Sequence, residues 1–279
     1  MSAWSAYGLN IDGKTTSAQS TDVCTQAEGA SRRWQADGQN GIDNSFGLNL
    51  LPILITTAGS NFNGSANDHI TQGGPTMLIQ LDSLGAGPTY NPLPGAMVRA
   101  AASSVPPRWD GSDLRNVNSA SLTGDGGAPS LSFPNGYLAQ QTWVGAPPSG
   151  PGLVDLSLIS PELVLPVLMT HLQIAMTLGP TRGTASGVLS SVLPIDGVLA
   201  WLHVFVGAIS TSLCSGSAFA SIAAEFEQAS DIMIDGTNEP AAFCDGISIG
   251  LGFDAVAVQM GPAVAVPAAA DPCADAGQD

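Results

Sequence analysis

Lysine is nearly missing from this chain: Lys14 is the only one in 279 residues, and no Lys or Arg follows Arg182. Seven basic residues face 23 acidic ones, a net charge of −16, so phosphate backbones and anionic lipid headgroups are repelled. Nucleic-acid binding is therefore excluded as a function class. Charge of either sign is scarce, at 11%, which also excludes the densely charged surface of a salt-adapted protein. Glutamate is limited to Glu28, Glu162, Glu225, Glu227 and Glu239, so the acids are mainly Asp, the residue of turns, helix caps and cation sites.

Histidine is equally sparse. His69, His171 and His203 are not at zinc-ligand spacing, and no Gly-x-Ser-x-Gly elbow accompanies them. Glu225 and Glu227 stand two apart on a helical stretch and point different ways, which is no glycosidase pair. Gly124 to Gly127 lacks the following lysine of a phosphate cradle. The longest apolar run, Val198 to Leu213, is about 16 residues against the roughly 20 of a bilayer span, and reads as a buried helix. Met1-Ser2-Ala3-Trp4 opens without a charged n-region or apolar h-region, so the chain reads as a mature form behind an initiator Met.

What is present begins with apolar content. At 44% hydrophobic residues, the chain is able to bury a sizeable core, with disorder confined to ends and long loops. Cys24, Cys214, Cys244 and Cys273 lack Cys-x-x-Cys spacing, and an even number without metal spacing reads as disulfides in an oxidising compartment. Cys214 and Cys244 bracket a helical stretch and are expected to pair, leaving Cys24 and Cys273 to tie the ends.

The richest chemistry lies in the first fifty residues, where short oxygen-bearing side chains alternate with glycine turns. Asp12, Asp22, Asp37, Asn40, Asp43 and Asn44 offer the oxygens that Ca²⁺ takes at roughly 2.3–2.6 Å, although the spacing is not an EF-hand. The competing expectation is that Asp-Gly and Asn-Gly make turns, and that Asp43 or Asn44 caps the next helix. Trp109, Tyr137 and Trp143 are candidates to stack on a sugar ring, weighed against filling the core.

The chain reads as a single domain over 1–261 with a Pro/Ala-rich tail over 262–279. Residues 1–43 form a loop-rich N-terminal segment, followed by helices over 44–58 (kinked or shortened by Pro52) and 65–72. A β-rich part over 76–178 contains strand candidates at 76–82, 130–133, 137–144, 153–159 and 163–178. A helical part over 196–235 starts at Asp196 as N-cap. Its second helix, from Ser217, puts Phe219, Ile222, Phe226, Ala229 and Met233 on one face. A closing strand alternates over 247–258. The expected architecture is mainly β with flanking helices, an antiparallel sandwich or jelly-roll-like core.

Leu9-Asn10-Ile11-Asp12-Gly13 with Asp22 and Cys24, then Asp37-Gly38 leading to Gly41-Ile42-Asp43-Asn44, resembles secreted proteins and lipoproteins of myxobacteria that have no assigned activity. Phe133-Pro134-Asn135-Gly136, Gly187-Val188-Leu189 and Ala229-Ser230-Asp231-Ile232-Met233 running into Cys244 to Phe253 fit the same group. No lipobox cysteine is visible. The resemblance implies export, to the medium or the outer cell surface. The expected function is a non-catalytic extracellular binding module with a glycan or protein partner and Ca²⁺ as stabiliser. Self-association is the alternative, and a hydrolase of extracellular polymers is third.

Overall fold

The computed structural model describes residues 3–58, 62–124, 127–147, 152–160, 163–267 and 270–274. Its architecture is mainly β with a few helices, two sheets in a sandwich-like α+β arrangement.

The smaller sheet has the order β1 (Thr76–Leu81), β2 (Gly95–Ala100), β3 (Leu114–Asn118) and β11 (Gln259–Val264), with β4 (Leu131–Phe133) also paired to β2. Alternation sorts its side chains. Met77, Ile79 and Met97 face the main core, while Leu78, Val98, Ala100 and Val117 form a second cluster under Leu122 and Val258. With both faces covered, every residue of β2 is buried. That removes the half-polar alternation by which a strand is recognised, and β2 was not among the expected strands.

The larger sheet runs β10 (Gly246–Val256), β9 (Thr184–Pro194), β8 (Leu163–Leu178), β6 (Thr142–Gly145) and β5 (Tyr137–Ala139), with β7 (Gly152–Ser160) also on β8. The stretch 137–144, read as one strand, is a hairpin. Gln140 and Gln141 both adopt positive φ, the signature of a two-residue turn that matches strand twist. Pro166 lies within β8, which is continuous through it. Residues 259–264 are paired in parallel with β3 rather than opening a free tail.

Helices pack at the flanks. The turn Phe46–Leu50 is wound wide, with the Leu51 N–H reaching the Phe46 carbonyl, and α1 (Leu51–Ala58) follows with Pro52 in its first turn. The helix is continuous across this junction, so Pro52 removes an internal donor, and the wide winding just before it is where the ladder accommodates the proline ring. α2 (Phe62–Thr71) precedes β1. In α3 (Ile195–Ile209), Val198, Trp201, Leu202, Phe205 and Val206 make the buried stripe that helical spacing requires. Its N-cap is Pro194, not Asp196, which stands in the first turn where the helix dipole favours a carboxylate. α4 (Gly216–Gln228) ends at Ala229, so Met233 lies beyond it.

Both expected disulfide pairings are wrong. The bridges are Cys24–Cys244 and Cys214–Cys273. The N-terminal segment runs alongside residues 242–244, with Thr25 N–H donating to Ala242 and Cys244 N–H to Thr25, so the backbone itself brings Cys24 to Cys244. Gly207 of α3 makes room for the other bridge, because a Cβ there would lie 2.4 Å from the Cys273 sulfur.

Candidate functional site

The N-terminal acids converge, and they do so against β10. Residues Gly246, Ser248, Gly250 and Gly252 line one face of that strand and are nearly bare, so Tyr7 and Gly8 lie directly on it. A Cβ on Gly250 would meet the Tyr7 carbonyl at 2.2 Å. Across this contact runs a buried polar chain. Ser45 N–H donates to Ser248 Oγ at 2.8 Å, and Ser248 in turn donates through both N–H and Oγ to Asp231.

Four carboxyls meet at this hub, Asp231 and three from the N-terminal segment. Asp43 Oδ2 accepts the Ile11 N–H at 2.5 Å, Asp37 accepts the Thr16 N–H, and Asp12 accepts from Asn238 Nδ2 at 3.0 Å. Burial, then the charges of Asp12 and Asp231, push the Asp43 carboxyl up to about 8. Asp37 rises to about 6 through burial, partly offset by the Thr16 N–H and by a hydrogen bond from Asp43. Asp231, fully enclosed, rises to about 7 through burial against the opposing bonds from Ser248. The hub therefore retains protons at a pH where free aspartates are ionised. Asp231 was not among the candidates. Its only sequence signal is a polar residue between Ser230 and an apolar Ile-Met pair.

Of the remaining proposed ligands, Asp22 and Asn40 are exposed, and Asn44 braces the junction itself. Asp22 is exposed and pairs with Lys14 at 3.7 Å, while the Lys14 ammonium also donates to the carbonyls of Asp22 and Asn238. Asn40 is an exposed turn residue with φ 56°. Asn44 spends its amide on the carbonyls of Trp4, Tyr7 and Gly250, and its Oδ1 accepts from Gly47 and Gly250. It is a brace and a helix cap, with no oxygen left for an ion. Among the described residues, His203, Asp271 and Cys273 bring three His, Cys, Asp or Glu ligand atoms within 4.8 Å of one another. The Cys273 sulfur is already spent in a disulfide.

The aromatic candidates do not form one platform. Trp143 is fully buried, edge-on to Phe133 at 5.5 Å, with its indole N–H donated to the Leu93 carbonyl. It is a core residue, as aromatics in strands usually are. Tyr137, 40% exposed, lies on the opposite face of the same hairpin, because its neighbour Leu138 is the residue that faces Trp143. The histidines are also apart in role: the His69 ring lies on Gly74, His171 stands in the β8 bulge against Gly236, and His203 Nε2 bonds the Cys214 carbonyl.

Trp109 belongs to a different feature. The loop from Ser103 to Asp113 encloses a cleft of about 250 Å³ lined by Ser103, Val105, Arg108, Asp113, Leu114 and Arg115, among others. The loop is fixed at three points. Ser103 N–H donates to Gly73, and the Asp113 carboxylate accepts the N–H groups of both Arg108 and Trp109. Trp109 holds a left-handed backbone, φ 55°, and its indole Nε1 is shut off from solvent without an acceptor. Val105 and Leu114 are 67% and 58% exposed, among the barest large apolar side chains described.

Arg115 is only 3% exposed. Its Nη2 donates to the Gly74 carbonyl at 2.6 Å and, more weakly, to Ala101, while Nε and Nη1 have no partner. Desolvation lowers its pKa against the opposing pull of Asp113. An unsatisfied buried donor costs about 1–3 kcal/mol and more when charged, so this arrangement carries a standing penalty. No known protein family, curated protein or solved structure matches this chain.

Proposed function

We propose that this chain is a secreted or cell-surface binding module without catalytic activity, and that its contact surface is the 103–115 cleft. The carrying observation is the pairing of a loop tied at three points with bare apolar side chains, Val105 and Leu114, around a cleft that Asp113 and Arg108 also line. Exposed apolar groups beside a few fixed polar ones are what a ligand site needs. Two disulfides support an oxidising compartment, and no helix among the described residues is long and apolar enough to cross a membrane. The test is a thermal-shift screen of small anions, neutral sugars and amides against the oxidised protein. The reading requires a saturable rise in Tm that is lost on Leu114→Asp; a screen without any saturable response refutes it.

Ca²⁺ belongs to this reading as a stabiliser of the N-terminal hub, competing with protons for Asp12, Asp37 and Asp43. What supports it is the gathering of these carboxyls with Asp231 at one buried junction. Melts in EDTA and in millimolar Ca²⁺ decide between the occupants. A rise of several degrees with Ca²⁺, lost in Asp37→Ala with Asp43→Ala, assigns the metal, and coincident melts assign protons alone.

A further inference from the structure

We propose that the junction between α3 and the turn over 271–274 has two alternative states. One is the Cys214–Cys273 disulfide; the other, formed once that bridge is reduced, is a Zn²⁺ site of Cys214, Cys273, His203 and Asp271. Ligand atoms of His203, Asp271 and Cys273 lie within 4.8 Å of one another, and Cys214 is joined directly to Cys273. Zn²⁺ holds sulfur at about 2.3 Å and imidazole nitrogen or carboxylate oxygen at about 2.0–2.2 Å, so tetrahedral neighbours stand roughly 3.3–3.8 Å apart. The three are thus gathered close to that spacing, and the bridge brings the fourth. Among the described residues no other group of three His, Cys, Asp or Glu side chains is so placed.

The surroundings suit a metal. His203 and Gly207 stand one turn apart on the same face of α3. A Cβ on Gly207 would lie 2.4 Å from Cys273 Sγ and 3.0 Å from Cys214 Sγ, so both sulfurs rest on the helix where it carries no side chain. His203 Nε2 lies 2.9 Å from the Cys214 carbonyl, which only accepts, so Nε2 bears the hydrogen and Nδ1 the lone pair. A histidine that donates its other N–H to a carbonyl is the form that ligates. Phe219 stands edge-on to the same ring at 5.2 Å. Asp271 Oδ1 accepts the Cys273 N–H at 2.8 Å, and Oδ2 has no partner among the described residues. Asp271 is exposed, which gives an ion its route in. The chemistry balances with a dithiol as reductant. Its two S–H bonds become one S–S bond while the protein bridge becomes two thiols. Zn²⁺ then displaces both thiol protons to solvent and takes the thiolates.

The test reduces the full chain with dithiothreitol, removes the reductant without oxygen, and titrates Zn²⁺ against a chromogenic chelator. Alkylation with iodoacetamide and peptide mass analysis then locates the protected thiols. One equivalent of Zn²⁺ should bind and shield two of the four cysteines, Cys214 and Cys273, while Cys24 and Cys244 react. His203→Gln and Asp271→Asn should each weaken binding by about tenfold or more, and Cys214→Ser with Cys273→Ser should abolish it. If reduction alone unfolds the chain, reduction with Zn²⁺ already present should preserve its native circular dichroism. Unfolding with Zn²⁺ present, shielding of Cys24 and Cys244 instead, affinity unchanged by His203→Gln, or no binding each overturns the site.

Discussion

Asp43 shows how far a single side chain can invert the usual pH response. Its folded pKa lies near 8, against 3.8 for the free side chain, so between these values the folded state holds a proton that the unfolded state has released. Stability from this group is complete below pH 3.8 and is lost as pH rises through 8, and Asp37 and Asp231 act in the same direction. Melting without Ca²⁺ should therefore give a Tm at pH 5 higher than at pH 8 by roughly 5 °C. Asp43→Asn keeps an oxygen for the Ile11 N–H and removes the charge. It should raise Tm at pH 8 and flatten the pH dependence, and a steeper slope would contradict the assignment. Asn44→Ala strips five hydrogen bonds from the same junction and should cost about 3 kcal/mol in a denaturant titration. Asp12, Asp37 and Asp43 were legible as a group because their spacing around glycine turns is unusual. Asp231 was not, since nothing local distinguishes an acid that is bonded by Ser248 of the following strand and whose neighbouring carboxyls, Asp37 and Asp43, stand nearly two hundred residues before it.

At the scale of elements, β10 is the piece on which the N-terminal segment depends. Its alternation of Ile247, Ile249, Leu251 and Phe253 with bare residues was readable as a strand, and the apolar set does face the main core. That the bare set receives Tyr7 and Gly8 was not readable, because close backbone approach leaves only glycines as its trace. Gly250→Ala should displace the segment and lower stability by about 2 kcal/mol, with faster amide exchange at residues 4–12 as the local readout. The β5–β6 hairpin shows a different gap. Gln140 and Gln141 occupy positions that favour Asn and Gly, so a turn was hidden inside an apparently continuous strand. Replacing the pair, Gln140→Asn with Gln141→Gly, should raise stability by about 1 kcal/mol. A loss instead would show that the glutamines hold the turn by contacts of their own.

For the whole molecule, strand content and flanking helices followed from turn spacing and period, whereas disulfide connectivity did not. Cys214 and Cys244 are neighbours in sequence but belong to different junctions, one under α3 and one beside the acid hub. Pairing depended on which segment runs beside residues 242–244, a tertiary fact with no local signal. In the chain-entropy account, a bridge closing 220 residues and one closing 59 contribute about 5 and 4 kcal/mol respectively. Cys24→Ser with Cys244→Ser should therefore lower Tm by about 10 °C or more and open the hub.

The two bridges also interlace, since Cys214 falls between Cys24 and Cys244 while Cys273 falls outside them. A backbone cut anywhere from residue 24 to residue 273 separates two lengths of chain that at least one bridge still joins. A protease that nicks an exposed loop once therefore yields fragments on a reducing gel and a single band on a non-reducing one. While both bridges are oxidised, a first cut is damage without loss of a piece.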